Sequence, residues 1–354
     1  MAPDPYAPSC GWWAYGKVGL CCFFGLCPAE SCRQRLSHQA LACVPQPQAW
    51  LQGGAPVTPV RATAPVEIGL LLVEEVEEGG ECRQREKRKG KSVGLRIGTL
   101  NVGTMTGKGR ELADMMERRK VDILCVQESR WKGSKAHSIG AGFKLFYYGV
   151  DSKRNGVGVV LKEEFVRNVL EVKRVSDRVM SLKLEIEGVM LNVVSGYAPQ
   201  VGCELEEKER FWSELDEVME SIPTGERVVI GVDFNGHVGE GNRSDEEVMG
   251  KFGVKERNLE GQMVVDFAKR MDMGVVNTYF QKREEHRVTY KSGGRRTQVD
   301  YILCRRGNLK EISDCKVVVG ESIARQHRMV VCRMTLMVCK KKRSKIEIEK
   351  KTKW

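Results

Sequence analysis

Arg227-Val-Val-Ile-Gly-Val-Asp233-Phe-Asn235-Gly-His-Val-Gly239 runs from a short, apolar, β-branched stretch straight into a polar cluster. Such a stretch makes a buried strand, because branched side chains pack well on a pleated surface. The polar residues then fall at the strand's end. Side chains alternate along an extended chain, so Asp233 and Asn235 point one way while Phe234 points into the core. Two readings of the pair stand side by side. One is an acid that activates water beside an amide that holds a phosphate; the other is an Asx turn that closes the strand.

The same arrangement recurs along the chain. Leu95 to Leu100 leads into Thr99-Leu-Asn101, and Asp122 to Val126 leads into Val126-Gln-Glu128-Ser. Val299-Asp300 opens the run Tyr301 to Cys304, Gln326-His327 precedes Met329 to Cys332, and Tyr197 follows Val189 to Val194 in Ser195-Gly-Tyr-Ala-Pro199. Polar residues placed repeatedly at strand ends can share one rim of a sheet core. Together they supply the parts of a phosphodiester hydrolase, which must neutralise a pentacovalent dianion, position a water in line and stabilise the departing oxygen. Glu128 is the candidate metal ligand, since a hard carboxylate suits Mg²⁺. Asp300 meeting His327 would orient the imidazole and raise its pKa, placing a cation beside the phosphate. Tyr197 offers a phenol and Asn101 an amide at the same rim. Each also has a plainer reading: a solvated strand terminus for Glu128, a surface or packing residue for His327, a packing tyrosine at a proline turn for Tyr197.

Around these motifs the chain divides into three. Residues 1–93 lack periodicity, carry many Pro, Gly and Ala and end in the basic run Arg83 to Lys91, which predicts disorder. Residues 94–338 alternate strands with three helices. The first helix spans Lys108 to Arg119, the second carries Phe211, Trp212, Leu215, Val218 and Met219, and the third carries Met263, Val264, Phe267 and Met271. Their Met and aromatic stripes read as core. About four strands between the first two helices imply hairpins and mixed sheets, hence an α/β sandwich with outer helices rather than a doubly wound parallel sheet. Residues 339–354 form a basic tail, with eight Lys/Arg against two Glu from Lys340 to Trp354. The formal net charge of +11 suggests a polyanionic partner. Thirteen cysteines do not make a secreted framework, because seven precede the organised region and several others lie inside apolar runs, where a reduced thiol is expected. Cys22, Cys27 and Cys32 lack the paired short spacings of a zinc site. The apolar stretch Val18 to Leu26 lacks the basic start of a secretory signal, and no run approaches the roughly 20 apolar residues of a membrane span.

Taken in order, Asn101, Gln127-Glu128, Gly196-Tyr197-Ala-Pro, Asp233-Phe-Asn235, Val299-Asp300-Tyr-Ile and Gln326-His327 resemble the endonuclease/exonuclease/phosphatase superfamily. The variants Ser-Gly-Tyr-Ala-Pro-Gln and Arg-Arg-Thr-Gln-Val-Asp-Tyr-Ile-Leu look most like endonuclease domains of non-LTR retrotransposons. The resemblance implies a deoxyribonuclease I-like four-layer sandwich of two packed mixed β-sheets flanked by helices. It also implies dependence on Mg²⁺ or Mn²⁺ and cleavage that leaves a 3′-hydroxyl. By motif, Glu128 would bind metal and Asp233 activate water. Asn235 and Tyr197 would contact the scissile phosphate, His327 would pair with Asp300, and Asn101 would orient the metal and phosphate. Thr289, in Arg287-Val-Thr-Tyr290, matches a substrate-contact motif whose usual aromatic is Trp. Many relatives place an acid two residues after the first Asn and another just before the final His, where this chain has Gly103 and Gln326. Losing both predicts weak metal affinity.

These expectations lead to a DNA endonuclease, of nicking or apurinic/apyrimidinic type, that acts as a monomer on DNA or RNA with no membrane partner. A phosphatase of small phosphoesters or phosphoinositides shares the same catalytic set. A catalytically impaired, retroelement-derived nucleic-acid or chromatin binder is the third reading, supported by the missing acids. The runs Arg83 to Lys91 and Lys340 to Lys345 suggest nuclear import. Site choice on DNA is assigned to loops at Ser129 to Gly142 and Gln281 to Arg296.

Overall fold

The computed structural model describes residues 92–241 and 243–338. The extension, both basic runs and the tail therefore lie outside the described residues. The first strand already pairs at Ser92, two residues ahead of the boundary expected at residue 94.

Two sheets are stacked face to face. The first contains β1 (Ser92–Asn101), β2 (Ile123–Gln127), β3 (Gly133–Gly140), β4 (Phe143–Gly149) and β5 (Val157–Lys162), joined late in the chain by β14 (Ile312–Val317) and β15 (Val330–Met337). The second contains β6 (Val169–Ser176), β7 (Val179–Ile186), β8 (Val189–Tyr197), β9 (Arg227–Asp233), β10 (Met273–Val275) and β13 (Asp300–Arg305). A small hairpin, β11 (Tyr290–Ser292) and β12 (Arg295–Thr297), forms a separate two-stranded sheet that bridges to His327 through Tyr290. Spatial orders are β14-β15-β1-β2-β5-β4-β3 and β10-β13-β9-β8-β7-β6. Each sheet is mixed, with one parallel pair at its centre: β1 with β2 and β8 with β9. Ile97, Cys125, Leu182, Val193 and Ile302 belong to the core between the sheets.

Helices cover the outer faces. Leu112, Met115 and Met116 of α1 (Gly109–Arg119) pack in one cluster with Leu124, Val160 and Val331 of the first sheet. No side chain caps the start of α1. Burial of about 1.5–3 kcal/mol per large apolar side chain is therefore what keeps it helical. A single turn, α2 (Glu163–Val166), follows β5. On the second sheet α3 (Leu205–Glu220) contributes Phe211, Leu215 and Val218, and α4 (Leu259–Arg270) contributes Val264 and Phe267. The layers are thus helix, sheet, sheet, helix, as the resemblance implied.

Local expectations fared unevenly. Seven strands, not about four, separate α1 from α3. The missed β3 and β6 are sheet edges. An edge strand buries little, so β3 carries Ser134, Lys135 and Ser138 where a central strand would carry valines. Much of the supposed loop at Ser129 to Gly142 is this strand, and that at Gln281 to Arg296 includes a 3₁₀ turn and most of the small hairpin. Met263 and Met271 are only half-buried, so the third helix's stripe is shorter than its sequence suggests. Of the five cysteines among the described residues, Cys125, Cys304, Cys315 and Cys332 are buried free thiols, and burial pushes Cys125 up to about 12.

The sheets approach most closely at Gly231 of β9, where a methyl group would sit 2.7 Å from Cys125 Cβ and 3.0 Å from Thr99 Cβ. Gly231→Ala should therefore overpack the interface, costing about 1–3 kcal/mol and lowering the melting midpoint by about 2–10 °C. Adding Cys125→Ala, which removes the nearest sulfur, should restore part of the loss. An unchanged midpoint for Gly231→Ala in thermal unfolding would contradict the close approach.

Candidate active site

Strand direction assembles one rim. The parallel pairs bring the carboxyl ends of β1 and β2, and of β8 and β9, to the same edge of their sheets. This places Asn101 beside Gln127, with Glu128 next in line, and Tyr197 beside Asp233. Antiparallel neighbours arrive with their starts: Asp300 of β13 pairs in register with Asp233, and His327 lies just ahead of β15, whose Val330 pairs with Thr99. Side chains then cross between the sheets. Asn101 Nδ2 donates to Glu128 Oε1 and to Asp233 Oδ2, each at 2.9 Å, and the Tyr197 hydroxyl donates to Glu128 Oε1 at 2.8 Å. Both amide hydrogens of Asn101 are spent on carboxylates, so its role is to bridge them.

Below this rim the sheets are tied by a polar group. Gln127 Nε2 donates to Thr99 Oγ1 at 3.1 Å and the Gly231 carbonyl at 3.2 Å, and lies 3.4 Å from Ser195 Oγ. All of these side chains are buried, and a buried amide left without partners would cost about 1–3 kcal/mol. The tie therefore fixes the register of the two rims as well as their distance.

The second half of the site is a buried charge cluster. Asp233 and Asp300 are both 0% exposed. His327 Nδ1 lies 3.2 and 3.1 Å from the two oxygens of Asp300 and 3.8 Å from Asp233 Oδ2. Burial works against a charged imidazole, but the two carboxylates outweigh it and raise His327 to about 9. Asp233 moves up as well, to about 7: burial and the neighbouring Asp300 charge raise it, while His327, Asn101 and the Asn235 amide oppose them. Two carboxylates thus share one cation. Ligand atoms of Asp233, Asp300 and His327 lie within 4.8 Å of one another, near enough for a metal ion. A protonated imidazole cannot ligate, however, so the hydrogen-bonded acid–base arrangement accounts better for this geometry.

Glu128 is the other candidate. Burial alone would raise its pKa, but donors from Asn101, Arg130 and Tyr197 reverse that and hold it below the usual carboxylate range. Tyr197 is pushed far above the ordinary tyrosine value by burial and by the Glu128 and Asp233 charges, so it stays a phenol that donates. Asn235 is neither extended nor simply an Asx residue. With φ of +51°, its backbone N–H donates to Asp233 Oδ1 at 3.0 Å, and its side chain donates to the Ala198 carbonyl at 2.9 Å. The turn and the site are the same object, because the Asx bond is what aims both residues at the rim. Phe234 between them is buried and stacks on Trp212 of α3, ring centroids 5.4 Å apart.

One expected site residue is misplaced. Thr289 is fully buried, and its hydroxyl accepts from the backbone N–H groups of Val299 and Asp300 at 3.0 and 3.1 Å. It positions Asp300 and has no face toward a substrate. Tyr290, in place of the usual Trp, packs edge-on against the His327 ring at 4.9 Å. Gln326 is exposed and turned away to Ser292 Oγ at 2.8 Å. Sequence reasoning also missed three basic side chains around the rim. Arg130 contacts Glu128. Arg178 sits over the Tyr197 ring at 5.2 Å and donates to its carbonyl. Lys108 is lowered by burial and by Arg325 and Arg130 against the pull of Glu111. No residue-type motif announces them; only their place in turns bordering Glu128 and Tyr197 does.

The chain is similar to known proteins in sequence and in fold. Residues 98–321 match the model of the Endonuclease/Exonuclease/phosphatase family. Craniofacial development protein 2 of Tragulus javanicus is 28% identical over 244 residues, covering 68% of this chain and 42% of that protein. The chain thus spans about two fifths of the length of the curated relatives it matches. Among solved structures, the endonuclease domain of TRAS1, a telomere-specific non-LTR retrotransposon, aligns with a TM-score of 0.50 at 13% identity, covering 70% of this chain and all of that one. A Neisseria 3′ phosphatase bound to its product DNA hairpin aligns at 0.52 and 16%, covering 68% and 99%. At such identities the likeness is one of fold.

The ion pair at the centre of the cluster is directly measurable. NMR titration of the His327 imidazole should give a pKa near 9, and Asp300→Asn should lower it by at least about one unit. A value near 6.5 in both proteins would contradict the pairing.

Proposed function

This chain belongs to the endonuclease/exonuclease/phosphatase family, whose members are nucleases and phosphatases, and from that premise we propose that it is a divalent-metal-dependent DNA endonuclease. The observation that carries the reading is the hydrogen-bonded chain from Glu128 through Asn101 to Asp233, which meets the His327–Asp300 pair through an ion-pair contact at 3.8 Å, at one rim of the sandwich. Support for DNA over a small phosphoester comes from Arg130 beside Glu128, from Lys108, whose charge interacts with that of Arg130, and from Arg178 beside Tyr197, which also pairs with Glu207, since each phosphate contacted by a cation gains from counterion release.

The donor set fits a hard cation, though sparingly. Glu128 would hold Mg²⁺ or Mn²⁺, with Asn101 beside it, and Gly103 and Gln326 add no acid. When bound, the metal supplies positive charge to the phosphate oxygens. The protein's own groups do the rest. Asp233 takes the proton of the attacking water as the new P–O bond forms, and the bond to the 3′ oxygen breaks; that oxygen takes a proton from solvent to become the 3′-hydroxyl, and Asp233 later gives its proton back to solvent. The His327 imidazolium, held by Asp300, stands against the negative charge that develops on the phosphate. The Tyr197 phenol and the Asn235 amide grip the phosphate in line.

A second reading, an impaired nucleic-acid binder, is favoured by one observation: both oxygens of Glu128 already have side-chain donors. Supercoiled plasmid with Mg²⁺ separates the two. An endonuclease nicks it, and Glu128→Ala or His327→Ala slows nicking by at least about 100-fold. Binding without nicking, indifferent to Asp233→Ala, would instead support the binder, and hydrolysis of inositol phosphates in preference to plasmid would support a phosphatase.

The charge cluster sets a pH profile. Asp233 must be ionised to accept a proton, so activity rises as pH passes about 7; His327 must be protonated, so it falls as pH passes about 9. His327→Gln should abolish the alkaline limb in whatever activity remains, and a flat profile from pH 6 to 10 in wild type would contradict the assignment.

A further inference from the structure

Glu128 and Arg130 both adopt positive φ, +51° and +50°. For residues with a full side chain this conformation is uncommon and persists only where the surroundings impose it. Here they do: Ser129 is held through its carbonyl by the Met105 amide and through its amide by the Gly156 carbonyl, and the Arg130 amide donates to Asn155 at 3.0 Å. The outcome is that Arg130 turns back over the residue two before it. Its Nη2 meets Glu128 Oε2 at 2.6 Å, the oxygen that Asn101 and Tyr197 leave free. The Glu128 side chain is 14% exposed and that of Arg130 42%, so the pair is half-sheltered rather than a surface contact of little consequence. Arg130 Nε is buried without a hydrogen-bond partner, so the guanidinium is held by its Nη2 contact with Glu128. Lys108 feels the charges of both Arg325 and Arg130. A lone divalent cation approaching Glu128 therefore meets fixed positive charge, while a phosphate meets attraction.

We propose that Arg130 is a counter-ion built into the cation site. It occupies Glu128 in the resting protein and passes to the substrate phosphate when metal takes the carboxylate. Metal and DNA would then bind together, each weakly alone. The inference rests on the reading of this site as a phosphodiester hydrolase, but its test does not need turnover.

The test is Mn²⁺ binding to the full chain without DNA, followed by electron paramagnetic resonance. Arg130→Met, which keeps most of the aliphatic stem, and Arg130→Gln, which keeps a polar terminus without charge, should each bind Mn²⁺ at least about tenfold tighter than wild type, with melting midpoints close to wild type. Glu128→Gln added to either should cancel the gain. Affinity that is unchanged or weaker in both Arg130 variants, or a gain that survives Glu128→Gln, would overturn the proposal. Should wild type prove unable to cleave any phosphodiester, the functional reading fails, and the Mn²⁺ titration still decides the role of Arg130.

Discussion

At Gly231 the two sheets come so close that only hydrogen fits between β9 and the Cys125 and Thr99 side chains, and the position of every rim residue follows from that approach. Gln127 reaches across one layer higher to Thr99, Ser195 and the Gly231 carbonyl. Above it Asn101 spans from Glu128 on the first sheet to Asp233 on the second. The contact is dry and apolar at the bottom, neutral and polar in the middle, charged at the top. An interface graded in this way lets carboxylates sit at the edge of a hydrophobic core without being orphaned in it, because each has donors beside it at the rim.

Charge is the quantity that this frame controls. Asp233 and Asp300 are buried side by side, which neither would tolerate ionised and alone. A single imidazolium between them, the Asn101 amide and the Asn235 backbone N–H offset that burden only in part, and the remainder appears as the raised pKa of Asp233. A carboxylate tuned toward neutrality is a better proton acceptor than an ordinary aspartate. On the other side of the groove the balance is reversed. Glu128 is surrounded by donors and lies near a group of basic side chains, at the place where two further acids are missing from the sequence. The two halves of the site thus differ in their electrostatic character: one holds surplus negative charge, the other surplus positive charge.

Much of this was legible in the chain itself. Short β-branched runs ending in Asn101, Glu128, Tyr197 and Asp233 identify central strands and their shared rim, because a strand buried on both faces has no other way to be written. The pairing of His327 with Asp300 was legible as a condition and holds in space. What eluded reading has common causes. β3 and β6 lie at sheet edges, where burial no longer constrains residue type. Thr289 shows how a motif residue can serve the site from behind: its hydroxyl is buried under the strand start it fixes. The Asx turn read at Asp233 and Asn235 is present, and its hydrogen bond holds the two residues together at the strand's end. Arg130 depends on two consecutive backbone reversals, at Glu128 and at itself, that no local pattern encodes.

The central claim is that residues from six distant segments act on one phosphorus centre. Single-turnover nicking of a DNA duplex by Glu128→Ala, His327→Ala and the double variant tests it most directly. Groups that serve one transition state are strongly non-additive, so the double variant should lose no more than about tenfold beyond the slower single variant. Losses that simply multiply would contradict a shared centre, as would single variants that nick as fast as wild type.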